Sequence, residues 1–156
     1  MTGSTESART LPFLMARLGR LNEAFIEGIA RDHHTTPTEL TVLAALSQIG
    51  APLTPTQLSG ALVQTSGGVT ATLKRLQDRG HVRRRSDPDD GRVSLVAITP
   101  KGARFCAAAL DDLLDRYAEL LSTVDVDAGV AAIEPLLATL ERSLDLARSK
   151  DWNFRR

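Results

Sequence analysis

Residues 65–98 read TSGGVTATLKRLQDRGHVRRRSDPDDGRVSLVAI, a helix pattern followed by two strand patterns. Apolar residues recur at helical spacing up to Leu76, and Gly80 supplies the left-handed residue that commonly ends a helix. Two strand-like segments then flank the residues 87–91, whose Asp, Pro and Gly favour a turn. The stretch therefore predicts a helix that leads directly into a β-hairpin.

Two shorter helix patterns precede this stretch. The first ends near Gly50, and a short extended link leads from it to Thr54. Thr54 is suited to cap the second, because Pro55 takes the first helical position and Gln57 stands where a capping box needs it. Helices at a tight turn followed by a hairpin form a winged helix-turn-helix. The predicted fold class is mainly α (α+β), with a two-stranded wing.

Longer amphipathic helices flank this module, one before it and two after Thr99. Pro135 lies inside the last pattern and should either kink that helix or mark a restart. Their apolar stripes have no partner within so small a module, so we expect them to pack in a symmetric homodimer. The predicted organisation is a polar disordered tail at 1–10, a helical dimerisation region at 11–35 and 101–148, the winged helix at 36–100, and a C-terminal tail at 149–156.

The charge of the chain is balanced overall but unevenly distributed. The 156 residues include 19 basic and 19 acidic side chains, and 42% of the chain is apolar, as expected of a compact globular domain. Residues 64–85 hold six basic side chains against one acidic, whereas residues 103–148 hold four against nine. The first segment should attract polyanions and the second repel them, unless both are merely solvated faces.

Several other classes of protein are excluded by the sequence. No apolar run reaches the ~18 residues of a membrane helix, and the start is too polar for a secretory signal. The single cysteine, Cys106, excludes an intrachain disulfide framework and suits a reducing compartment, so we expect a cytoplasmic protein. No catalytic motif is present and the length leaves no room for a catalytic domain, so we expect no enzyme.

The start of the fourth helix suits close approach by another molecule. Thr65 or Ser66 can cap it, and its free N–H groups favour a phosphate oxygen. Gly67 and Gly68 each lower helix propensity by about 1 kcal/mol, which calls for a reason: close approach to a ligand backbone, or a tight helix–helix contact. We favour the first. On the face opposite the apolar stripe lie Thr70, Ala71 and Lys74.

The hairpin offers further groups for DNA. Asp90 stands two residues before Arg92, a spacing at which the carboxylate can orient the guanidinium for a narrow minor groove. The alternative is a solvent-exposed ion pair in the turn that contributes well under ~1 kcal/mol to the stability of the fold. The three arginines at 83–85 cannot all face the protein, because strand residues alternate, so at least one should point at phosphates.

A series of short motifs runs through the module in a fixed order. They are LTVLAAL at 40–46, LTPTQL at 53–58, SGGVT at 66–70, LQDRGHV at 76–82, DPDDGR at 87–92 and LVAITPKG at 95–102. This run resembles the DNA-binding core of the MarR family of bacterial transcription regulators. The outer helices match that family's dimerisation helices in length and order, so the resemblance covers nearly the whole chain. It departs at Gly91, where many relatives have another arginine.

The resemblance implies a homodimeric, sequence-specific regulator that reads a pseudo-palindromic operator in double-stranded DNA, with a recognition helix in the major groove and a wing in the minor groove. Members commonly repress genes and release DNA when a small phenolic or other anionic effector binds. No cofactor or metal is implied. The candidate effector residues are Arg17, Arg20, His33 and His34. The candidate DNA-binding residues are Thr54, Gln57, Ser66, Gly67, Gly68, Thr70, Ala71, Lys74, Arg75, Arg84, Arg85, Asp90 and Arg92.

Two alternative functions stand beside this one. A winged helix could instead dock an acidic protein partner, or the regulator could sense oxidants through Cys106, although its apolar neighbours favour an inert buried thiol. Metal sites are disfavoured. Adjacent helical residues such as His33 and His34 point about 100° apart, and the turn at 87–91 lacks the ligands of a calcium loop.

Overall fold

The computed structural model describes residues 2–61, 66–87 and 90–143, which form helices and one small antiparallel sheet. In chain order the elements are α1 (Thr2–Asp32), α2 (Pro37–Ile49), α3 (Pro55–Ala61), α4 (Ser66–Asp78), β1 (Val82–Ser86), β2 (Ser94–Ile98), α5 (Pro100–Leu120) and α6 (Val126–Ser143). This is the predicted order, and the winged helix-turn-helix with long flanking helices is confirmed.

The first compact unit reaches to Pro37 and consists of α1 and the turn that ends it. Because α1 begins at Thr2, the prediction of a disordered tail at residues 1–10 is wrong for 2–10. Polar residues there include good helix formers, which extend a helix without needing a buried face. The Thr10 hydroxyl donates a hydrogen bond to the Glu6 carbonyl at 3.0 Å, within this first part of the helix.

The second compact unit runs from Thr38 onwards, and its core lies within the winged helix. Helices α2, α3 and α4, the base of the wing and the start of α5 each contribute one apolar side to it. The buried core residues are Val42, Leu43, Ala44, Ala45, Leu46, Leu58, Val69, Leu73, Leu76, Val82, Val96 and Cys106. These residues fix how α4 is presented on the surface of the unit.

Glycines end α2 and α4 at the positions that the sequence predicts. Gly50 follows α2 with φ +65, and Gly80 follows α4 with φ +71. A side chain strains this left-handed backbone, and glycine adopts it freely. The helix-turn-helix is therefore bounded by local chemistry that can be read from the sequence.

The wing is an antiparallel pair in which Val82 lies opposite Ile98 and Ser86 opposite Ser94. Leu53, which we predicted to lie in an extended link, forms a bridge to the second strand. Its N–H donates to the Val96 carbonyl at 2.9 Å, and the Val96 N–H donates back at 2.7 Å. The link before α3 thus pairs with β2 on the side away from β1.

The two last helices are long and leave much apolar surface exposed. Thr99 caps α5 as predicted, because its Oγ1 accepts a hydrogen bond from the Gly102 N–H at 3.0 Å. α6 continues through Pro135, so the alternative of a helix restart is wrong. Within the described ranges, no helix is both long and apolar enough to cross a lipid bilayer. The predicted tail at 149–156 lies outside these ranges.

Candidate nucleic-acid interface

Helix α4 has a buried side and an exposed side. The buried side carries Val69, Leu73 and Leu76, none of which is accessible to solvent. The exposed side carries Thr70, Ala71 and Lys74. The apolar spacing of the sequence predicts this division, which leaves short side chains and one cation facing outward.

The first turn of α4 begins at Ser66. N–H groups at the start of a helix have no carbonyl partner within it and lie at the positive end of its dipole, so they suit an anion. Gly68 is exposed, so another molecule can approach the backbone there without a side chain intervening. Thr65 and the side-chain environment of Ser66 and Gly67 lie outside the described part of the chain.

Thr54 and Gln57 form the predicted capping box at the start of α3. The Thr54 N–H donates to Gln57 Oε1 at 2.8 Å, and the Gln57 N–H donates to Thr54 Oγ1 at 3.1 Å. The atoms proposed for DNA backbone contact are thus largely used within the helix start. The Gln57 carboxamide nitrogen and the Thr54 hydroxyl hydrogen are donors that this cap does not use.

The wing separates its arginines between two faces. Arg83, Arg84 and Arg85 are all exposed. Arg84 lies opposite Val96, whereas Arg83 and Arg85 lie opposite Ala97 and Leu95. Successive strand residues point to opposite faces, so Arg84 and Arg85, both predicted to contact DNA, do not share a face. Arg83, which was not among the predicted DNA-binding residues, lies on the same face as Arg85.

The predicted contact at the wing tip between the Asp90 carboxylate and the Arg92 guanidinium is wrong. Asp90 Oδ1 accepts a hydrogen bond from the Arg92 backbone N–H at 3.0 Å and makes no ion pair with its guanidinium. A short carboxylate readily reaches the backbone two residues on, and this local contact takes precedence. The Asp90 carbonyl also accepts from the Val93 N–H at 2.9 Å. Asp90 therefore shapes the turn, and the Arg92 side chain is exposed.

Arg75, predicted to contact DNA, is bound within the protein. Its Nε donates to Glu39 Oε1 at 2.8 Å, and Arg79 Nη1 donates to Glu39 Oε2 at 3.3 Å. Glu39 is only 1% exposed. Glu39 was not predicted as a functional residue, although an acid in an otherwise apolar helix face is a detectable signal.

The end of α4 is tied to the start of α5. Lys101 Nζ donates to the Arg79 carbonyl at 2.7 Å, and Thr99 Oγ1 donates to the Gly80 carbonyl at 2.8 Å. These two carbonyls directly follow the end of α4 at Asp78, near the negative end of the helix dipole, which favours a cation such as Lys101 there. They hold the end of α4 while its first turn faces outward.

His81 is buried at this junction. Its ring stacks on Phe105 with the two centroids 4.5 Å apart, and its Nδ1 has no hydrogen-bond partner within the described residues. Burial lowers the pKa of His81, the charges of Lys101 and Arg79 lower it further, and Glu39 opposes them. The folded protein therefore favours a neutral imidazole at this position.

This burial predicts a loss of stability in mild acid. The unfolded chain binds a proton near the ordinary His81 pKa of 6.5, while the folded chain resists it. The His81 contribution is complete above that pH and declines as the pH falls below it. Urea unfolding can be measured between about pH 7.5 and 5, the range in which histidine titrates. The free energy of unfolding should decline more steeply with falling pH for the wild type than for His81→Phe. Equal declines would contradict this account.

Cys106 is buried in the core and only 1% exposed. Burial raises the pKa of its thiol to about 11. Because the thiolate is the reactive form, this environment opposes the alternative of a redox-sensing regulator acting through Cys106.

The four candidate effector residues are not gathered into one site. Arg17 and Arg20 are exposed on α1, whereas His33 and His34 follow its end at Asp32. At 1.5 Å per residue, Arg20 and His33 lie about 20 Å apart along the helix. In the described ranges, no three His, Cys, Asp or Glu side chains come together as metal ligands.

His34 is the left-handed residue that ends α1. It adopts φ +54, the one non-glycine residue with positive φ in the described ranges. The Thr35 N–H donates to the Ala30 carbonyl at 2.8 Å, which is the bond of a Schellman ending around a left-handed residue.

Known proteins similar to this chain are transcription regulators. Residues 35–93 match the sequence model of the MarR family. The multiple antibiotic resistance protein MarR of Salmonella typhimurium is 34% identical over 103 residues, which cover 65% of this chain and 70% of that protein. A crystal structure of a MarR family transcription regulator superposes with a TM-score of 0.82 at 24% identity, covering 95% of this chain and 97% of the other. A mutant MarR from E. coli in complex with operator DNA gives a TM-score of 0.73 at 27% identity, covering 84% and 93%.

Proposed function

This chain belongs to the MarR family of transcription regulators, and from that premise we propose that it works as a homodimer on double-stranded DNA. Each copy places α4 in the major groove and the wing in the minor groove of a pseudo-palindromic operator. The two α4 helices then lie about one helical turn apart, roughly 34 Å. The protein acts as a repressor that a small anionic or phenolic effector releases. It is a DNA-binding regulator and not an enzyme.

One observation carries the DNA proposal: the exposed side of α4 and an arginine-rich wing belong to one module, similar to a regulator solved with operator DNA. Short side chains on α4 allow the helix to approach base edges, and Lys74 and the first-turn N–H groups suit phosphates. We assign base or nearby phosphate contacts to Ser66, Gly67, Gly68, Thr70, Ala71 and Lys74. We assign backbone and minor-groove contacts to Thr54, Gln57, Arg84, Arg85 and Arg92.

The dimer proposal is supported by apolar surface on the outer helices. On α6, Val130, Ile133, Leu137 and Leu140 are each about half exposed and recur at helical spacing. Exposed apolar stripes on α1 include Leu14, Leu18 and Leu21. Patches of this kind commonly mark protein–protein interfaces. We therefore assign dimerisation to residues 11–35 and 101–148, and DNA binding to residues 36–100.

The effector proposal rests on family membership. Arg17 and Arg20 offer exposed cations for an anionic ligand, whereas the histidine pair lies too far along α1 to bind the same small molecule. Because the proposed partner is genomic DNA, the proposed place of action is the cytoplasm.

Selection from a pool of random DNA duplexes, followed by gel shift, tests this function. We expect enrichment of an inverted repeat whose retention weakens steeply with salt. Failure to retain any duplex at low salt would instead favour a winged helix that docks a protein partner.

The Arg92→Ala variant tests the wing. We expect weaker binding to every duplex and a salt slope smaller by about 0.9, the value for one lost phosphate contact. The Arg142→Ala variant, which removes one charge from α6, is the matched control and should keep the wild-type slope. An unchanged affinity and slope for Arg92→Ala would contradict the wing assignment.

A further inference from the structure

The Glu39 carboxylate joins α2 to the recognition helix through two arginines. It lies in the first turn of α2, is almost fully buried, and accepts hydrogen bonds from Arg75 at 2.8 Å and Arg79 at 3.3 Å. Burying a carboxylate is costly unless it is paired and hydrogen-bonded, so these arginines are required for the fold of this region. One acid therefore binds Arg75 on α4 and Arg79 directly after the end of that helix.

From Arg75 the contacts continue toward the first turn of α4. Arg75 Nη2 donates to Thr72 Oγ1 at 3.2 Å, and that hydroxyl donates to the Gly68 carbonyl at 3.0 Å. Thr72 is itself buried. A chain of hydrogen bonds thus runs from Glu39 to the turn proposed to meet DNA, and its Glu39–Arg75 bond is the one that joins α4 to α2.

The same contacts turn two cations away from the exposed side of α4. At 100° per residue, Arg75 lies about 100° from Lys74 around the helix, and Arg79 follows the end of α4 at Asp78. Their side chains are nevertheless 49% and 45% exposed. Released from Glu39, these long side chains have the reach and solvent access to meet a phosphate.

We propose that Glu39 is a specificity-determining positioning residue: it orients α4 for base contacts and withholds Arg75 and Arg79 from sequence-independent phosphate contacts. This inference rests on the proposed DNA-binding function. Phosphate contacts strengthen binding to every sequence, so withholding two of them lowers affinity for operator and random DNA alike. The ratio of operator to random affinity rises because the Glu39–Arg75 contact holds α4 for base contacts, which only the operator rewards.

Glu39→Gln keeps the shape of the side chain and removes its charge. With a random-sequence duplex we expect about 3- to 10-fold tighter binding at low salt and a slope steeper by about 1 to 2 units. The operator recovered by selection should gain less than the random duplex, because α4 is held less firmly and loses base contacts, so the ratio of operator to random affinity falls. A merely structural role would weaken binding to both duplexes and leave the random-duplex slope no steeper.

Asp112→Asn is the matched control, because Asp112 also pairs with an arginine, Arg116 at 2.9 Å, but within α5. Both variants change the net charge by the same amount. We expect Asp112→Asn to keep the wild-type slope. An equal steepening in both variants would show that net charge alone is responsible and overturn the proposal.

The triple variant Glu39→Gln, Arg75→Gln, Arg79→Gln keeps the proposal testable if Glu39→Gln alone fails to fold, since it leaves no charge of this cluster buried. The proposal predicts the wild-type random-duplex slope for it. A slope smaller by about 2 would show that both arginines already bind phosphates in the wild type. If the wild type itself retains no duplex, the proposed function fails; if it binds and Glu39→Gln does not change the ratio, only this inference fails.

Discussion

Gly102→Ala is expected to lower the free energy of unfolding by roughly 3 kcal/mol or more, the range reached by severe overpacking. A Cβ at this position would overlap the His81 carbonyl oxygen and lie 2.9 Å from the carbonyl carbon. That carbonyl cannot easily move, because it accepts a hydrogen bond from the Thr99 N–H at 3.0 Å and shares the single hydroxyl hydrogen of Thr99 with the Gly80 carbonyl. The backbone between α4 and the wing would have to shift.

Gly19→Ala is the matched control for this substitution. Gly19 is exposed within α1, and a Cβ there would meet nothing within 4 Å. Alanine should therefore stabilise the helix by about 0.5–1 kcal/mol. Urea unfolding at one fixed protein concentration measures both variants. Equal midpoints for Gly102→Ala and the wild type would show that the close approach at His81 is not maintained in solution.

Leu137→Glu is expected to dissociate the dimer. Operator affinity should then fall about 100-fold or more, because a single copy binds one half-site without a linked partner to bind the other. Leu137 is 53% exposed on the same α6 face as Ile133, at 51%. Covering a charge at the centre of an apolar interface costs several kcal/mol when the charge is unpaired. The substitution should leave the buried core intact.

Ala131→Glu serves as its control, because Ala131 is exposed about 160° from Ile133 around α6. It should remain dimeric and keep its operator affinity. Sedimentation equilibrium gives the oligomeric state, and gel shift gives the affinity. A Leu137→Glu protein that stays dimeric would place the interface elsewhere, and a monomer with full operator affinity would contradict the two-site proposal.

The features that were predicted correctly depend on neighbouring residues in the chain. The left-handed Gly80 after α4 and the capping box of Thr54 and Gln57 are examples, since each needs only a turn of helix to be realised. The buried and exposed sides of α4 follow from helical periodicity alone. Local chemistry and period therefore gave the order of elements and the exposed side of the recognition helix.

The features that were missed depend on which elements meet. Glu39 reaches Arg75 only because α2 packs beside α4, and this contact withdraws an arginine that sequence had assigned to DNA. Strand register, which a list of residues does not contain, separates Arg84 from Arg85. At Asp90 two local contacts competed, and the backbone N–H of Arg92 was bound in place of the guanidinium.

The Leu53 bridge has a consequence for solubility at high concentration. It pairs with Val96 on the side of β2 away from β1, and among the described residues no strand pairs with the outer side of β1. An open strand edge is a template for pairing with another molecule, and consecutive cations discourage such pairing by mutual repulsion. The three arginines at 83–85 thus guard against edge-to-edge aggregation, and variants that neutralise them need to be checked for fibril formation before any loss of binding is attributed to DNA contacts.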